Sequence, residues 1–127
     1  MTIGDALTRI DQLKHNTYTD SEKIVWLSKL DSMIKRFIID THEGGEDITF
    51  NGYTDKNENE IKTTELLVGE PFDEIYIKWL EAQIDYTNGE YYKYNNSIMQ
   101  YNTEYEAFEN WYNRNHMPLQ AGTRFKF

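Results

Sequence analysis

The stretch His-Glu-Gly-Gly-Glu at 42–46 comes nearest to a catalytic motif in residue type and spacing. Zinc proteases place two histidines four residues apart on a helix, with a glutamate beside the first as general base. Here Glu46 stands where the second histidine would be, and two glycines interrupt the helix. The other imidazoles, His15 and His116, are not placed by spacing. The sequence therefore does not predict a metal hydrolase, and we expect His42 to be a helix-end or surface group.

Carboxylates are dense between residues 40 and 74, which carry eleven acidic and two basic groups, net −9. Glu58 and Glu60 could be named as an acid–base pair, but in so acidic a stretch a solvated surface is the better interpretation. The run 55–60 alternates oxygen ligands as a calcium loop does. An EF-hand needs glycine at its sixth position and glutamate at its twelfth, where this chain has Glu60 and Leu66. We therefore predict no metal and no cofactor.

No other arrangement typical of catalysis is found in the sequence. The chain lacks a phosphate-binding glycine loop and any triad-like order of serine or cysteine with histidine. The three tryptophans fall in helical patterns, where core or interface packing is more frequent than ligand stacking. We expect a protein that is not an enzyme.

The net charge of −9 over 127 residues is unevenly placed. After the acidic stretch, residues 113–127 carry three basic groups and no acidic one. An acidic body argues against nucleic-acid binding through phosphate neutralisation. The chain has no cysteine, no signal-peptide pattern and no stretch long enough to span a membrane. We expect one soluble intracellular domain without a membrane partner.

Hydrophobic spacing places the candidate residues on helices. A short amphipathic helix is predicted from Ile3 to Leu13, and a longer one over 22–42 begins at a capping box formed by Thr19 and Glu22. A third helix over 71–88 should be the most buried. Asn88-Gly89 ends it just before the next helical pattern, so we expect an antiparallel hairpin.

Residues 91–112, the last helical pattern, carry seven apolar or aromatic side chains at steps of three and four, five of them tyrosines. A tyrosine has an apolar body and a polar tip, which suits a contact that is part core and part wet. The aromatic content of 15 % also suggests surfaces that bind protein. The candidate subunit-interface residues are Trp26, Tyr101, Tyr105, Trp111 and Tyr112.

Residues 43–69 interrupt the helical pattern with glycines and polar residues. The runs 48–53 and 63–68 could pair as a β-hairpin around the polar residues 55–60. Loops of this length are usually functional or disordered, and we expect an extended acidic projection that partners help to order. The predicted fold class is all-α, a small helical bundle with this loop inserted. Residues 1–115 form its single domain, and 116–127 form an extended C-terminal tail.

The basic tail allows two interpretations. One is a frayed terminus, the usual state of a polar end with glycine and proline. The other is a docking peptide whose Phe125 and Phe127 enter pockets on a partner while Arg124 and Lys126 meet acids. We favour the docking peptide, ordered by its partner.

In its order of elements the chain resembles the head–tail connector family of long-tailed phages, the adaptor or head-completion proteins that attach beneath the portal. It is most similar to prophage members from Gram-positive bacteria. The resemblance is carried by TYTDSEKIVWLSKLDSMI at 17–34, TELLVGEPFDEIYIKWLEAQIDYTNGE at 64–90 and YNNSIMQYNTEYEAFENWYNRNHMP at 94–118. These are packing and turn patterns, and the loop 43–63 and the last nine residues carry little of the match.

The resemblance implies a structural virion protein of the neck, assembled in the host cytoplasm. It implies a dodecameric ring that follows the portal's symmetry, extends the DNA channel and carries a stopper or tail-completion protein. In this family the C-terminal segment reaches into the portal, and the matching docking residues here are Arg114, His116, Met117, Pro118, Arg124, Phe125, Lys126 and Phe127.

The acidic loop is then a candidate for the channel wall or the tail-side rim. A wall of carboxylates repels phosphate, so double-stranded DNA would pass without specific binding. The acidic residues in question are Glu43, Glu46, Asp47, Asp55, Glu58, Glu60 and Glu65.

Two alternatives belong to other functional classes. The net charge of −9 also fits an acidic DNA mimic or inhibitor that binds a basic partner. Such a protein would bind a nucleic-acid enzyme one to one with strong salt dependence, although the basic tail fits it poorly. A small enzyme would need a site that no motif here indicates.

Overall fold

The α-helices of the bundle account for most of the chain in the computed structural model, which describes residues 1–53 and 57–119. They are α1 (Ile3–Leu13), α2 (Asp20–Ile34), α3 (Glu58–Lys62), α4 (Glu74–Thr87) and α5 (Tyr91–Asn115). A π-helix over Lys35–Ile39 continues α2, and a single 3-10 turn covers Gly45–Asp47. The all-α prediction is confirmed.

Capping boxes begin the first two helices. Thr2 and Asp5 exchange side-chain and backbone hydrogen bonds at the start of α1. Thr19 and Glu22 do the same at the start of α2, as the sequence predicts. Each box satisfies N–H groups that have no partner within the helix, which fixes where the helix begins.

Gly89 joins α4 to α5 in an antiparallel hairpin. Its φ of 76° lies in the left-handed region that favours glycine. Its N–H donates to the Tyr86 carbonyl and the Glu90 N–H donates to the Asp85 carbonyl, which together end α4 as a Schellman motif. The predicted hairpin is confirmed, but α4 begins at Glu74, three residues later than Pro71. Residues 69–72 instead form a turn closed by a bond from the Phe72 N–H to the Gly69 carbonyl.

The core is centred on α4, which contacts α1, α2 and α5. α4 is therefore covered on more than one side, although Trp79 is only partly buried and Tyr86 is exposed. Several of its apolar and aromatic side chains are wholly buried. They are Ile75, Tyr76, Ile77, Leu80 and Ile84.

The segment 43–69 differs most from the prediction. Among its described residues no strand forms, and 48–53 makes no bridge with 63–68. α3 begins within the polar run, because the Asn57 side chain caps the Glu60 N–H and acids in the first turn suit the helix dipole. The described parts of the segment also do not project from the bundle, since they contribute buried core side chains. These are Tyr53, Ile61, Leu66 and Val68.

Within the described part of the chain, no helix is long and apolar enough to cross a membrane.

Candidate functional site

The segment 43–69 returns along α2 in the opposite direction. Its first residues lie at the C-terminal end of α2, where the Lys35 ammonium donates to the Gly45 carbonyl at 3.0 Å. Farther along, the Tyr53 N–H donates to the Ser28 hydroxyl at 3.3 Å. It reaches the other end of α2 at α3, where Lys62 pairs with Asp20 at 2.9 Å. The acidic segment is therefore a strap along the bundle.

Asp31, in the last turn of α2, fastens this strap. Its carboxylate is wholly buried and accepts hydrogen bonds from the Tyr53 hydroxyl, from the Tyr76 hydroxyl at 2.7 Å and from the Leu67 N–H at 3.1 Å. The Tyr76 oxygen in turn accepts from the Val68 N–H at 2.7 Å. One carboxylate thus joins α2 and α4 to both the outgoing and the returning limb of the strap.

Burial raises the pKa of the Asp31 carboxyl to about 6, although the bonds from Tyr53, Tyr76 and Leu67 lower it. Burial, followed by the nearby charge of Asp31, raises the pKa of both tyrosine hydroxyls. Asp31 has no salt-bridge partner in the parts of the chain that are described. Among the described residues, three hydrogen bonds stabilise its charged form.

A second buried carboxylate, Asp85 of α4, has a different environment. It pairs with the Lys14 ammonium at 2.7 Å and accepts from the Ser97 hydroxyl at 2.5 Å. This cluster joins the end of α1 to both helices of the hairpin. With a cation beside it, Asp85 is compensated in a way that Asp31 is not.

The sequence pattern contains a signal for both carboxylates. Asp31 continues the apolar stripe of α2 that runs through Ile24, Leu27, Ile34 and Ile38 at steps of three and four. Asp85 likewise follows Ala82 at a step of three. A charged residue on a buried stripe indicates a polar network in the core, and this is the signal by which both carboxylates could be predicted.

The predicted acidic residues divide between the two ends of α2. Glu43, Glu46 and Asp47 are exposed near its C-terminal end. Near its N-terminal end, Glu58 accepts from the Ser21 hydroxyl at 3.3 Å and pairs with Lys62. The helical stretch between the two ends, 20–39, is about 28 Å long.

The other predicted acids in the strap also have local partners. Glu60 accepts from the Asn57 amide at 2.7 Å, and Glu65 pairs with the N-terminal ammonium of Met1 at 3.3 Å. Asp55 lies outside the described residues. The acidic set is therefore not a single patch.

His42 is a buried structural residue, which agrees with a helix-end role and not with a surface position. Its Nδ1 lies 2.6 Å from the Ile38 carbonyl oxygen, and its Nε2 lies 2.7 Å from Oδ1 of Asn113. The ring also meets the edge of Tyr112 at 5.0 Å. Both nitrogens are engaged in joining the end of the π-helix to α5. In the described ranges, no group of three or more His, Asp or Glu side chains could hold a metal ion.

The C-terminal segment leaves the bundle beside His42. The Glu43 N–H donates to the Met117 carbonyl at 2.8 Å, and the Leu119 N–H donates to the Thr41 carbonyl at 3.0 Å. Between these bonds Pro118 faces His42 in an antiparallel bridge. Residues 117–119 are thus extended and fastened to 41–43 by backbone hydrogen bonds.

Four of the predicted docking residues lie in the described part of the chain. Arg114 is exposed on the last turn of α5, and His116 stacks on the Tyr112 ring at 3.8 Å with an interplanar angle of 8°. Met117 and Pro118 are exposed beside the bridge. The remaining four lie outside the described residues, and they are Arg124, Phe125, Lys126 and Phe127.

Most of the candidate interface aromatics are packed against other side chains of the same chain. Tyr101 and Tyr112 are buried, so they offer little area to another subunit and the sequence overestimated their availability. Tyr105, Trp111 and Trp26 are partly buried, with Trp111 packed against Phe72, Phe108, Tyr112 and His116.

Comparisons with family models, with curated proteins and with solved structures found no match to this chain.

Proposed function

We propose that this chain is a head–tail connector of a long-tailed phage. It forms a ring below the portal, extends the DNA channel and presents the surface on which the next neck or tail protein assembles. The proposed location is the neck of the virion, and the proposed role is structural.

The observation that carries this proposal is the fixed departure point of the C-terminal segment. Two backbone hydrogen bonds and the Pro118–His42 bridge hold 117–119 against 41–43. A docking peptide that begins from a rigid anchor loses less conformational entropy on binding than one that begins from a frayed helix end. The sequence beyond the anchor supplies two phenylalanines and two cations, the residue types that serve as apolar and charged anchors at interfaces.

The strap gives secondary support. It places Glu43, Glu46 and Asp47 as exposed acids beside the same end of α2 from which the tail leaves. If the tail enters a portal, these acids lie near the portal-facing rim, and Glu58 and Glu60 lie toward the opposite end. The acidic residues would then be present at both openings of a channel segment instead of forming one continuous wall.

The test is assembly with a portal protein. Wild-type chain should form discrete ring-sized particles in mass photometry and should attach to portal particles. Deletion of 120–127 should abolish attachment while leaving the helical circular dichroism unchanged. This cut is better than one at 116, because 117–119 belong to the pairing with 41–43. A chain that stays monomeric and ignores the portal would contradict the proposal.

A matched pair of variants separates the two parts of the tail. Phe125→Ala with Phe127→Ala should weaken portal attachment most, because buried aromatic anchors dominate interface energy. Arg124→Ala with Lys126→Ala should mainly lower the association rate and its salt dependence. Salt-sensitive one-to-one binding to a nucleic-acid enzyme, without portal attachment, would instead support the acidic-inhibitor alternative.

A further inference from the structure

A groove of about 690 Å³ lies between α2 and α4 on the outside of the bundle. Val25, Met33 and Trp79 supply its apolar lining, and Lys29 and Gln83 are at its border. Val25 is 43 % exposed although it lies on a helix of the core. Trp79 is held in place, since its indole N–H donates to the Trp26 carbonyl at 2.8 Å and its ring packs on Tyr101 at 4.9 Å. The groove is therefore preformed.

The apolar lining continues as a row along α2 and its π-helical extension. Val25, Lys29, Met33 and Phe37 follow at steps of four, so they share one helix face. Phe37 is 58 % exposed, and the Arg36 guanidinium lies 6.0 Å from its ring centroid. Lys29 within the row and Arg36 next to Phe37 add positive charge to these apolar side chains, which suits a partner that is both apolar and acidic.

Lys29 and Arg36 differ from most cations in the described parts of the chain. Seven of the ten Lys and Arg residues in the described parts form a salt bridge with one of the chain's own acids, as expected where acids are in excess. Within those same parts, Lys29 and Arg36 form none, and the third such residue is Arg114. Lys29 at the groove and Arg36 beyond it thus carry positive charge that no acid among the described residues pairs with.

The complementary surface is on the outer face of α5. Met99 is 67 % exposed, and Glu106 and Glu109 follow on the same side of the helix at steps of seven and three. Neither glutamate forms a salt bridge with any described residue. Met99 to Glu109 spans about 15 Å of helix and Val25 to Phe37 about 18 Å, so the two rows have similar lengths.

We propose that the α2–α4 groove receives the outer face of α5 from a second copy of this chain. Met99 enters the apolar lining, and Glu106 and Glu109 pair with Lys29 and Arg36. The inference rests on the proposed ring and names its subunit contact. Because the groove and the α5 face are different surfaces of one chain, the contact is heterologous and repeats from copy to copy, which is the type that closes into rings.

The test is charge reversal followed by charge exchange, with mass photometry across a concentration series. Lys29→Glu and Arg36→Glu should each raise the concentration needed for assembly about tenfold, the size of effect that loss of one close charge pair has at an interface. Adding Glu106→Lys and Glu109→Lys to the double reversal should restore assembly. Lys93→Glu is the matched control, since this exposed residue lies off both faces and should not change assembly.

The outcomes separate this inference from the proposed function. If the double reversal assembles at the wild-type concentration, the contact is wrong while the ring still stands on another surface. If it assembles normally but loses portal attachment, the groove binds another protein and the inference is overturned. If wild type remains monomeric at every concentration, both the contact and the ring are overturned. Circular dichroism and thermal melting of each variant confirm that a loss of assembly is not a loss of fold.

Discussion

The α4–α5 hairpin is joined by apolar and aromatic side chains that recur along both helices, whereas the strap 43–69 is joined to the bundle at separate points. In the hairpin, Phe108 meets Phe72, Trp111 and Tyr112, and Trp79 meets Tyr101. In the strap, much of the attachment passes through the carboxylate of Asp31. A substitution in the hairpin should weaken the common core, whereas loss of the polar anchor should release the strap locally, so the two regions should respond differently to substitution.

The largest effect is expected from Phe108→Ala in the hairpin. Phe108 is buried at the centre of the aromatic cluster, and removing such a ring costs about 3–5 kcal/mol of unfolding free energy. Urea unfolding should show one cooperative transition at lower urea, because the hairpin belongs to the common core. Tyr92→Ala is the control, since Tyr92 is 94 % exposed on the same helix and should change stability by less than about 0.5 kcal/mol. Equal effects of the two variants would contradict this account of the hairpin.

Asp31→Ala should break the strap selectively. It leaves the hydroxyls of Tyr53 and Tyr76 and the Leu67 N–H without their buried acceptor, at a cost of about 3–4 kcal/mol. Hydrogen exchange should accelerate across 48–68 while amides of α4 and α5 stay protected. Asp31→Asn keeps one acceptor oxygen and should lose less. Uniform loss of protection through the whole chain would remove the distinction between the two regions.

The same carboxylate makes the strap sensitive to pH. Burial raises its pKa from 3.8 in a model peptide to about 6, so folding favours the protonated form. The contribution to stability is therefore complete below pH 3.8 and is lost as pH rises through 6, which amounts to about 3 kcal/mol. The stability of Asp31→Asn relative to wild type should improve by that order between pH 4 and pH 7. Subtracting the unfolding free energy of wild type from that of the variant removes the contribution of the other acids. A difference that does not change with pH would show that the pKa of Asp31 is not raised.

A smaller loss of stability is expected from a substitution at Gly89, in the turn of the hairpin. Gly89→Ala forces a side chain into a φ of 76° and should cost about 1 kcal/mol, measured as a lower melting temperature. Gly69→Ala is the matched control, because that glycine has no positive φ and nothing within 4 Å of an added Cβ. If both substitutions cost the same, the Schellman motif would not be what ends α4.

The helices could be predicted because their signals are local. The Thr19–Glu22 box and the Asn88-Gly89 stop act within a few residues, and α1 agrees with its prediction at both ends. The strap could not be predicted in the same way. Its course depends on Asp31 meeting residues 22 and 36 positions away in sequence, and α3 is too short for an apolar period to reveal it.

The extent to which each tyrosine of the stripe is buried also could not be predicted from the sequence. Periodicity identifies which side chains share a face, but it does not say how far the facing helix covers each one. Tyr101 is buried against Trp79 of α4, and Tyr112 is buried beside His116. Met99 and Glu106, which lie outside the stripe, are exposed. The outer face of α5 carries no motif, so the sequence does not single it out.

The pairing of 117–119 with 41–43 also has a mechanical consequence. A pull applied beyond Leu119 does not load the end of α5 alone. Through the bonds from Leu119 to Thr41 and from Glu43 to Met117, part of the tension passes sideways into the π-helical end of α2. Because these bonds cross an antiparallel pair, traction along the chain shears them instead of opening them one after another. The bundle therefore resists traction on its tail with two helices.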